Sequence, residues 1–349
     1  LVLAEAGADV VKVEAPGGEP SRSREPKLGA EGLEFALLNR GKRSVVADFA
    51  DSEAVDVLLK RIAETDVIVE GLRPGRLEEV GLGYEAAKAV NPAIIYCSLT
   101  GWGQSGPRAG EYGEDLNYLG ITGLLSLAGD AAGGPTLPLG GLAHWVGGAM
   151  PGAINILFAL RQRDQAGEGC YLDIAVCDSL FGPAYWAIGR AEASGHWPTP
   201  GGETLTGGSP RYRIYPTADG EYVAVAALDD RHWENLCERL DLDESLRDDR
   251  RDPEATHRAL AALIAAKPAR HWRDTFENRT LCASVINDLQ HAMSDPQFRG
   301  RGLFRRKVSV DDQTVTAAAV PVAEPFRGGE TVVPAPSVGA DQAVLDEED

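Results

Sequence analysis

Gly167-Glu-Gly-Cys-Tyr-Leu-Asp-Ile-Ala-Val-Cys-Asp-Ser-Leu-Phe-Gly-Pro-Ala-Tyr-Trp186 decides how this chain is read. Its opening glycines mark a turn. Cys170 to Ala175 then reads as a short strand, because Tyr171, Leu172, Ile174 and Val176 supply the aromatic and branched bulk that a pleated surface accommodates. Asp178 follows where strand gives way to helix, with Ser179, Leu180 and Phe181 carrying the apolar pattern onward. A carboxylate at that point lies beside main-chain N–H groups without a helical partner, which stabilise its charge and hold it in place. Two readings fit: an N-cap, a common use of Asp at such positions, or a pinned ionised group with chemistry to perform.

Working outward, the first hundred residues repeat the strand–helix theme. Asp9-Val-Val-Lys-Val-Glu14 reads as a strand ended by Ala15-Pro-Gly-Gly18, and Ser44-Val-Val-Ala-Asp-Phe49 as a second. Ser52 to Glu64 has Val55, Leu58, Leu59 and Ile62 on one face and reads as an amphipathic helix. The strand Asp66–Glu70, a helix over Tyr84–Val90 and the strand Ala93–Ser98 complete a β-α-β-α-β order. That alternation predicts an α/β, Rossmann-like domain on one parallel sheet, with a ligand at the carboxyl ends of its strands. The loops between carry Arg22, Arg24, Arg40, Lys42, Arg43 and Arg73, which are expected on that edge as partners for an anionic ligand or else as solvated surface charge. No GxGxxG follows the first strand, so a nicotinamide cofactor has no positive support.

The totals narrow the function. Acidic residues outnumber basic ones 53 to 34, a net charge of −19, which argues against general affinity for nucleic acid or an anionic membrane. The 5 cysteines are scattered without a CxxC, and the 6 histidines show no ligand spacing, so neither a disulfide framework nor a metal site is expected and a reduced, cytoplasmic setting fits. At 349 residues two domains are expected. The chain opens on Leu1-Val-Leu-Ala-Glu-Ala-Gly-Ala-Asp9, inside what reads as a helix and without Met. A natural start further upstream, with at least one more strand, is the expectation.

The middle holds a glycine-rich loop, Thr100-Gly-Trp-Gly-Gln-Ser-Gly-Pro107, which includes Gly101 and Gly103. A glycine- and alanine-rich helix from Gly140 to Arg163 is suited to close packing, with His144 at its start. After Trp186 the composition shifts. Residues 194–207 read as a Gly/Pro/Thr-rich linker, and Arg211–Tyr215 with Tyr222–Ala226 as a hairpin turning at Asp219-Gly220. Helices follow around His232–Leu240, His257–Ala266 and Ala269–Asn278. The expected division is a large domain over 1–193 completed by 316–349, a small α+β domain over 208–304, and a second linker at 305–315.

Ala8-Asp-Val-Val-Lys-Val-Glu-Ala-Pro-Gly17, Asn39-Arg-Gly-Lys-Arg-Ser44, Arg73-Pro-Gly75, Gly101-Trp-Gly-Gln-Ser-Gly-Pro107, the Asp178 stretch, Tyr215-Pro-Thr-Ala-Asp-Gly220 and Pro336-Ser-Val-Gly-Ala-Asp-Gln-Ala-Val-Leu345 stand in one order. In that succession the chain resembles the family III CoA-transferases, which include the α-methylacyl-CoA racemases. The resemblance implies a Rossmann-like domain completed by the tail, a small inserted domain and an interlocked homodimer. It implies a coenzyme A thioester as substrate, with no permanently bound cofactor, and a small carboxylic acid as acceptor. In transferase members an aspartate at the position of Asp178 attacks the thioester, forming a mixed anhydride and then an aspartyl-CoA thioester. By position, Arg22, Arg40, Lys42, Arg43, Arg73, Gly101 and Gly103 would bind CoA. Gly71 departs from the pattern, standing where members often carry Asn.

Racemase members instead remove and return the proton α to the thioester, with a His at the position of Glu114 and an Asp at the position of His144. Here the two types are exchanged, while their spacing of 30 residues is kept, and Asp115-Leu-Asn-Tyr118 looks more like the racemase branch. Three functions are therefore expected in order: CoA transfer through Asp178, α-proton chemistry through Glu114 and His144 with Asp115 beside them, and non-catalytic acyl-CoA binding. Trp102, Tyr118, Trp145, Tyr185 and Trp186 are candidates for an apolar acyl pocket or for core.

Overall fold

The structure is a computed structural model that describes residues 1–130, 134–277 and 280–346. Contacts divide the chain into two units: Leu1–Glu114 with Ala143–Ser179 and Ala292–Asp349, and Asp115–Leu142 with Leu180–His291. The division groups 115–142 and 180–193 with the second unit and 292–304 with the first, where composition alone set the small domain at 208–304.

In the first unit Val11–Glu14 (β1) and Arg43–Val46 (β2) pair in parallel, Val11 opposite Arg43 and Glu14 opposite Val46. Between them Leu33–Asn39 (α1) buries Phe35 and Ala36. Ser52–Ile62 (α2) starts at Asp51, whose side chain accepts the Glu53 N–H at 3.0 Å and so satisfies one of the orphan donors of the first turn. Val67–Glu70 (β3), Tyr84–Val90 (α3) and Ile95–Thr100 (β4) follow as the pattern predicts. Cys170–Ala175 (β5) has the bounds expected from sequence, pairs in parallel with β4 so that Thr100 faces Ala175, and runs directly into Val176–Leu180 (α5).

One expectation changes. A single parallel sheet was predicted, but among the described residues β1 to β5 form two parallel ladders, β1–β2 and β3–β4–β5. The four-residue strands β1 and β2 pair with each other, and no described strand hydrogen-bonds the two ladders together.

Alternation along β4 sends Cys97 to one face and Tyr96 to the other, the two-residue period of a strand buried on both sides. On the first face Cys97 and Ile174 pack on Ile156 of Met150–Ala166 (α4). Glycine makes the approach close: a Cβ at Gly152 would meet Leu99 Cδ1 at 3.0 Å, and one at Gly148 would meet Val176 Cγ2 at 3.2 Å. On the second face Tyr96 joins Leu77, Leu82, Ala87 and Ile94. The glycine-rich helix begins at Leu142, two residues later than expected, and passes through a π-turn over His144–Ala149 into α4.

The second unit has its own core. Tyr212–Pro216 (β6), Tyr222–Ala226 (β7) and Ala283–Val285 (β8) form an antiparallel sheet. Asp230–Arg239 (α6), Pro253–Ala265 (α7) and Ala269–Phe276 (α8) follow the predicted pattern, and the part of the predicted helix at Asn278 lies outside the described residues. Tyr215, Val223, Trp233, Leu236, Leu260 and Trp272 are buried together. The predicted linker over 194–207 is anchored rather than loose: Glu203 is buried, shares a capping box with Thr206 and pairs with Arg190 Nη1 at 2.5 Å.

The tail returns to the first unit. Lys307–Val310 (β9) and Gln313–Thr316 (β10) form a hairpin where a linker was expected, and Val332–Pro334 (β11) adds to β9 in parallel. Beyond it Asp341 Oδ2 accepts the Ser44 N–H at 2.8 Å and Gln342 Oε1 accepts the Val46 N–H at 2.9 Å. These bonds satisfy main-chain donors of β2 with side chains from the end of the chain.

Candidate active site

In a parallel ladder, the loops that leave the strands gather at one edge. For β3–β4–β5 they are Gly71–Gly75, which carries Arg73; the glycine loop from Gly101; and the step into α5, which carries Asp178. Asp178 lies in the first turn of α5 rather than at its cap, and its side chain is exposed. The glycine loop is fastened to this step. Gly101 O accepts the Cys177 N–H at 3.1 Å, and Gln104 N–H reaches both oxygens of Asp173 at 3.1 Å. Gly103, at φ +82°, is buried so near β5 that a Cβ would meet that of Ala175 at 3.3 Å. Gly101 therefore uses its carbonyl to hold the fold.

Cys177, next to Asp178, is the obvious rival nucleophile. Burial, then the charge of Asp178, push its thiol up to about 11, with Arg108 opposing. At neutral pH it is a protonated thiol, and the thiolate is the reactive form. Asp178, the next residue, is exposed.

Two arginines accompany it. Arg73 is exposed, donates to Tyr112 Oη at 3.2 Å and stands 5.2 Å from that ring's centroid. Arg108 lies 5.3 Å over Trp102 and pairs with Glu111 at 2.6 Å. Sequence reasoning missed Arg108, Tyr112 and Asp173; the one available signal for Arg108 was its position directly after Gly101–Pro107. At Gly71, a Cβ would approach Leu99 O to 3.2 Å, so a larger residue there would crowd that carbonyl.

The other basic residues lie elsewhere. Arg22, 7% exposed, donates to Glu14 Oε1 at 2.6 Å and Oε2 at 2.8 Å, to Glu31 Oε1 at 2.7 Å and to Pro336 O at 2.9 Å, and stacks on Phe35. Arg40, 1% exposed, is bound to Glu5 at 2.7 Å, Ala318 O at 2.9 Å and Leu37 O. The donors of both serve carboxylates and carbonyls of the interior. Arg43 pairs with Asp9, and Arg24 with Glu34 at 3.6 Å. Lys42 donates to Asn39 Oδ1 at 2.8 Å, and burial, then the charge of Lys12, push its ammonium down to about 8. Arg40, Lys42 and Arg43 also precede or begin β2, which places them at its amino end, the opposite edge from the one expected.

Glu114 and His144 are brought together, with Oε2 and Nε2 3.9 Å apart and both side chains exposed. Asp115 opens the helix Asp115–Ile121 in the second unit. Of the aromatic candidates, Trp145 lines a mostly apolar cavity of about 370 Å³ with Leu33, Leu37, Leu38 and Val320, whereas Tyr118 is buried and Tyr185 is exposed.

This fold is similar to solved α/β structures. A CaiB/BaiF family protein from Brucella suis superimposes with a TM-score of 0.82 at 29% identity, over 99% of this chain and 93% of that one. Rv3272 from Mycobacterium tuberculosis, in its D175A form, does so with 0.83 at 27%, over 99% and 92%. The sequence pattern of CoA-transferase family III matches residues 1–342, and the chain belongs to that family. It is 32% identical to the human (Homo sapiens) alpha-methylacyl-CoA racemase, over 92% of this chain and 81% of that protein. It is 31% identical to succinyl-CoA:mesaconate CoA-transferase of Haloarcula hispanica, over 99% and 89%. Likeness to enzymes over nearly the whole chain indicates that this protein is an enzyme as well.

Proposed function

We propose that this enzyme moves CoA from an acyl-CoA to a carboxylic acid through Asp178. The observation that carries the proposal is the exposed carboxylate of Asp178 at the carboxyl edge of β3–β4–β5, beside a glycine loop fastened to the same turn. An Asp178 oxygen attacks the thioester carbon, the C–S bond breaks, and a mixed anhydride and CoA thiolate result. The thiolate attacks the aspartyl carbonyl, giving an aspartyl-CoA thioester and releasing the donor acid. The acceptor carboxylate then attacks that thioester to form a second anhydride. CoA thiolate finally takes its acyl group and frees Asp178. This is covalent catalysis by a weak nucleophile, so it depends on a fixed position and on main-chain donors, here those of the glycine loop, for each tetrahedral oxyanion. Arg73 and Arg108 are the proposed phosphate ligands, since their guanidinium groups can engage phosphate in a bidentate way. No resident cofactor enters these steps.

The proposal includes a homodimer, supported by the apolar Ile154, Leu157 and Phe158 that α4 leaves exposed. Among the described residues no helix is long and apolar enough to cross a membrane. A cytoplasmic setting is part of the proposal.

Asp178→Ala should lower transfer between succinyl-CoA and small carboxylic acids by at least about 1,000-fold while leaving the fold intact. With acyl-CoA present, hydroxylamine should attack the activated aspartyl carbonyl of the parent protein, releasing CoA and leaving a hydroxamate at residue 178, and should leave the variant unmodified. Transfer retained by the variant rejects the assignment.

A second reading is α-proton exchange, favoured by the meeting of Glu114 and His144. Their Oε2 and Nε2 are 3.9 Å apart, so one carboxylate and one imidazole could share a substrate carbon between them only if the pair opens. It predicts deuterium uptake at the α-carbon of a 2-methylacyl-CoA without an acceptor acid; absence of uptake removes it.

A further inference from the structure

His144 opens the π-turn His144–Ala149, a widened turn of the kind that gathers at functional sites. The turn is seated at the carboxyl ends of β4 and β5: a Cβ at Gly148 would meet Leu99 Cδ2 at 3.3 Å and Val176 Cγ2 at 3.2 Å. Glu114 reaches it from the segment that leaves the glycine loop, and Glu114 Oε2 stands 3.9 Å from His144 Nε2. The imidazole is 46% exposed and the carboxylate 87%, so water reaches both. Trp145, the next residue, lines the apolar cavity of about 370 Å³ with Leu33, Leu37 and Leu38, a wall of the kind an acyl chain takes. The helix starts at Leu142, so His144 lies in its first turn, where N–H groups without helical acceptors favour negative charge.

We infer that this pair hydrolyses acyl-CoA: His144 is the general base for water, and Glu114 is the positioning residue that orients it. The inference rests on the reading of the substrate as an acyl-CoA and is independent of Asp178. Glu114 faces Nε2, which favours the tautomer with its proton there and leaves Nδ1 as the base. At 3.9 Å the two groups are within ion-pair reach and too far for a hydrogen bond, and such contacts tighten when substrate binds. Nδ1 takes a proton from a water molecule as the water oxygen bonds to the thioester carbon. The tetrahedral oxyanion collapses, the C–S bond breaks, and the imidazolium returns its proton to the departing sulfur. The products are the free acid, with one oxygen from water, and CoA thiol. Exchange at an α-carbon needs the two groups apart; hydrolysis uses them together, as they stand.

Acetyl-, butyryl- and 2-methylbutyryl-CoA, each without an acceptor acid, are the probes, and release of CoA thiol is the readout. The parent should release thiol from at least one of them about 100-fold faster than buffer does. In water enriched in oxygen-18, the released acid should gain a single label. His144→Ala should lower kcat by about 100-fold, the usual share of a general base. Glu114→Gln keeps the size and loses the charge, and should lower kcat about 10-fold with KM within about 3-fold. Both side chains are exposed, so the thermal midpoints of the two variants should match the parent's. The inference is overturned if the parent releases no thiol above buffer from any of the three, if the acid gains no label, or if either variant hydrolyses at the parent's kcat. Transfer is read with an acceptor acid and hydrolysis without one. An Asp178→Ala variant that still transfers therefore ends the transfer reading alone, and thiol release unchanged in His144→Ala ends this one alone.

Discussion

Two arginine-bearing stretches of the first unit use the same chemistry in opposite ways. Around Arg22 and Arg40 the guanidinium groups are buried, each satisfied by carboxylates and main-chain carbonyls that include distant parts of the chain. Around Arg73 the group is exposed and, among the described residues, meets the hydroxyl and ring of Tyr112. An arginine in a loop carries no label saying which it is. Its partners decide, and a buried one has no donors left for a ligand without first losing a carboxylate.

The contrast is broken most severely at Arg22. Arg22→Ala leaves Glu14 and Glu31 buried without their cation, and breaking such a buried pair costs about 3–5 kcal/mol. Urea unfolding should show that loss, and a variant as stable as the parent would mean the network is ornamental. At the exposed end, Arg73→Ala should leave the urea midpoint within error and raise KM for acyl-CoA about 10-fold, a loss of roughly 1.4 kcal/mol in binding. An unchanged KM would remove Arg73 from the phosphate ligands. A further effect appears in acid. Burial opposes the ionisation of Glu14, but hydrogen bonds from Arg22, Ser44 and the Glu19 N–H outweigh it and hold its pKa down from 4.5 to about 2. A carboxyl depressed in the folded state contributes stability above its unfolded value and loses it as pH falls through the folded one. The parent should therefore weaken between pH 4.5 and about 2, and Glu14→Gln should show a flatter profile there. An equal slope in both would place the acid sensitivity elsewhere.

Much of the fold was legible because it is written locally. β5 and α3 fall on the residues their bulk and periodicity pointed to, and the hairpin of the second unit turns at Gly220, whose φ of +80° suits glycine. Asp178 was legible as a strand-to-helix carboxylate, and the structure moved it from cap to first turn. The split of β1 to β5 into two ladders was not legible, because pairing depends on which edges meet. Nor was the edge on which Lys42 and Arg43 stand, although a closer reading would have noticed that they lead into a strand instead of out of one.

By itself the sequence determined the order of elements, the alternation that makes the first unit α/β, and the family, since periodicity, turns and motifs act over a few residues and survive without knowledge of neighbours. Only the tertiary structure decided what each charge is for. Arg22 meets a carbonyl from residue 336, Glu5 meets Arg306, and Asp173 meets the main chain of residue 104. A charge takes its role from what lies within a few ångströms through space, and that is set by packing rather than by position along the chain.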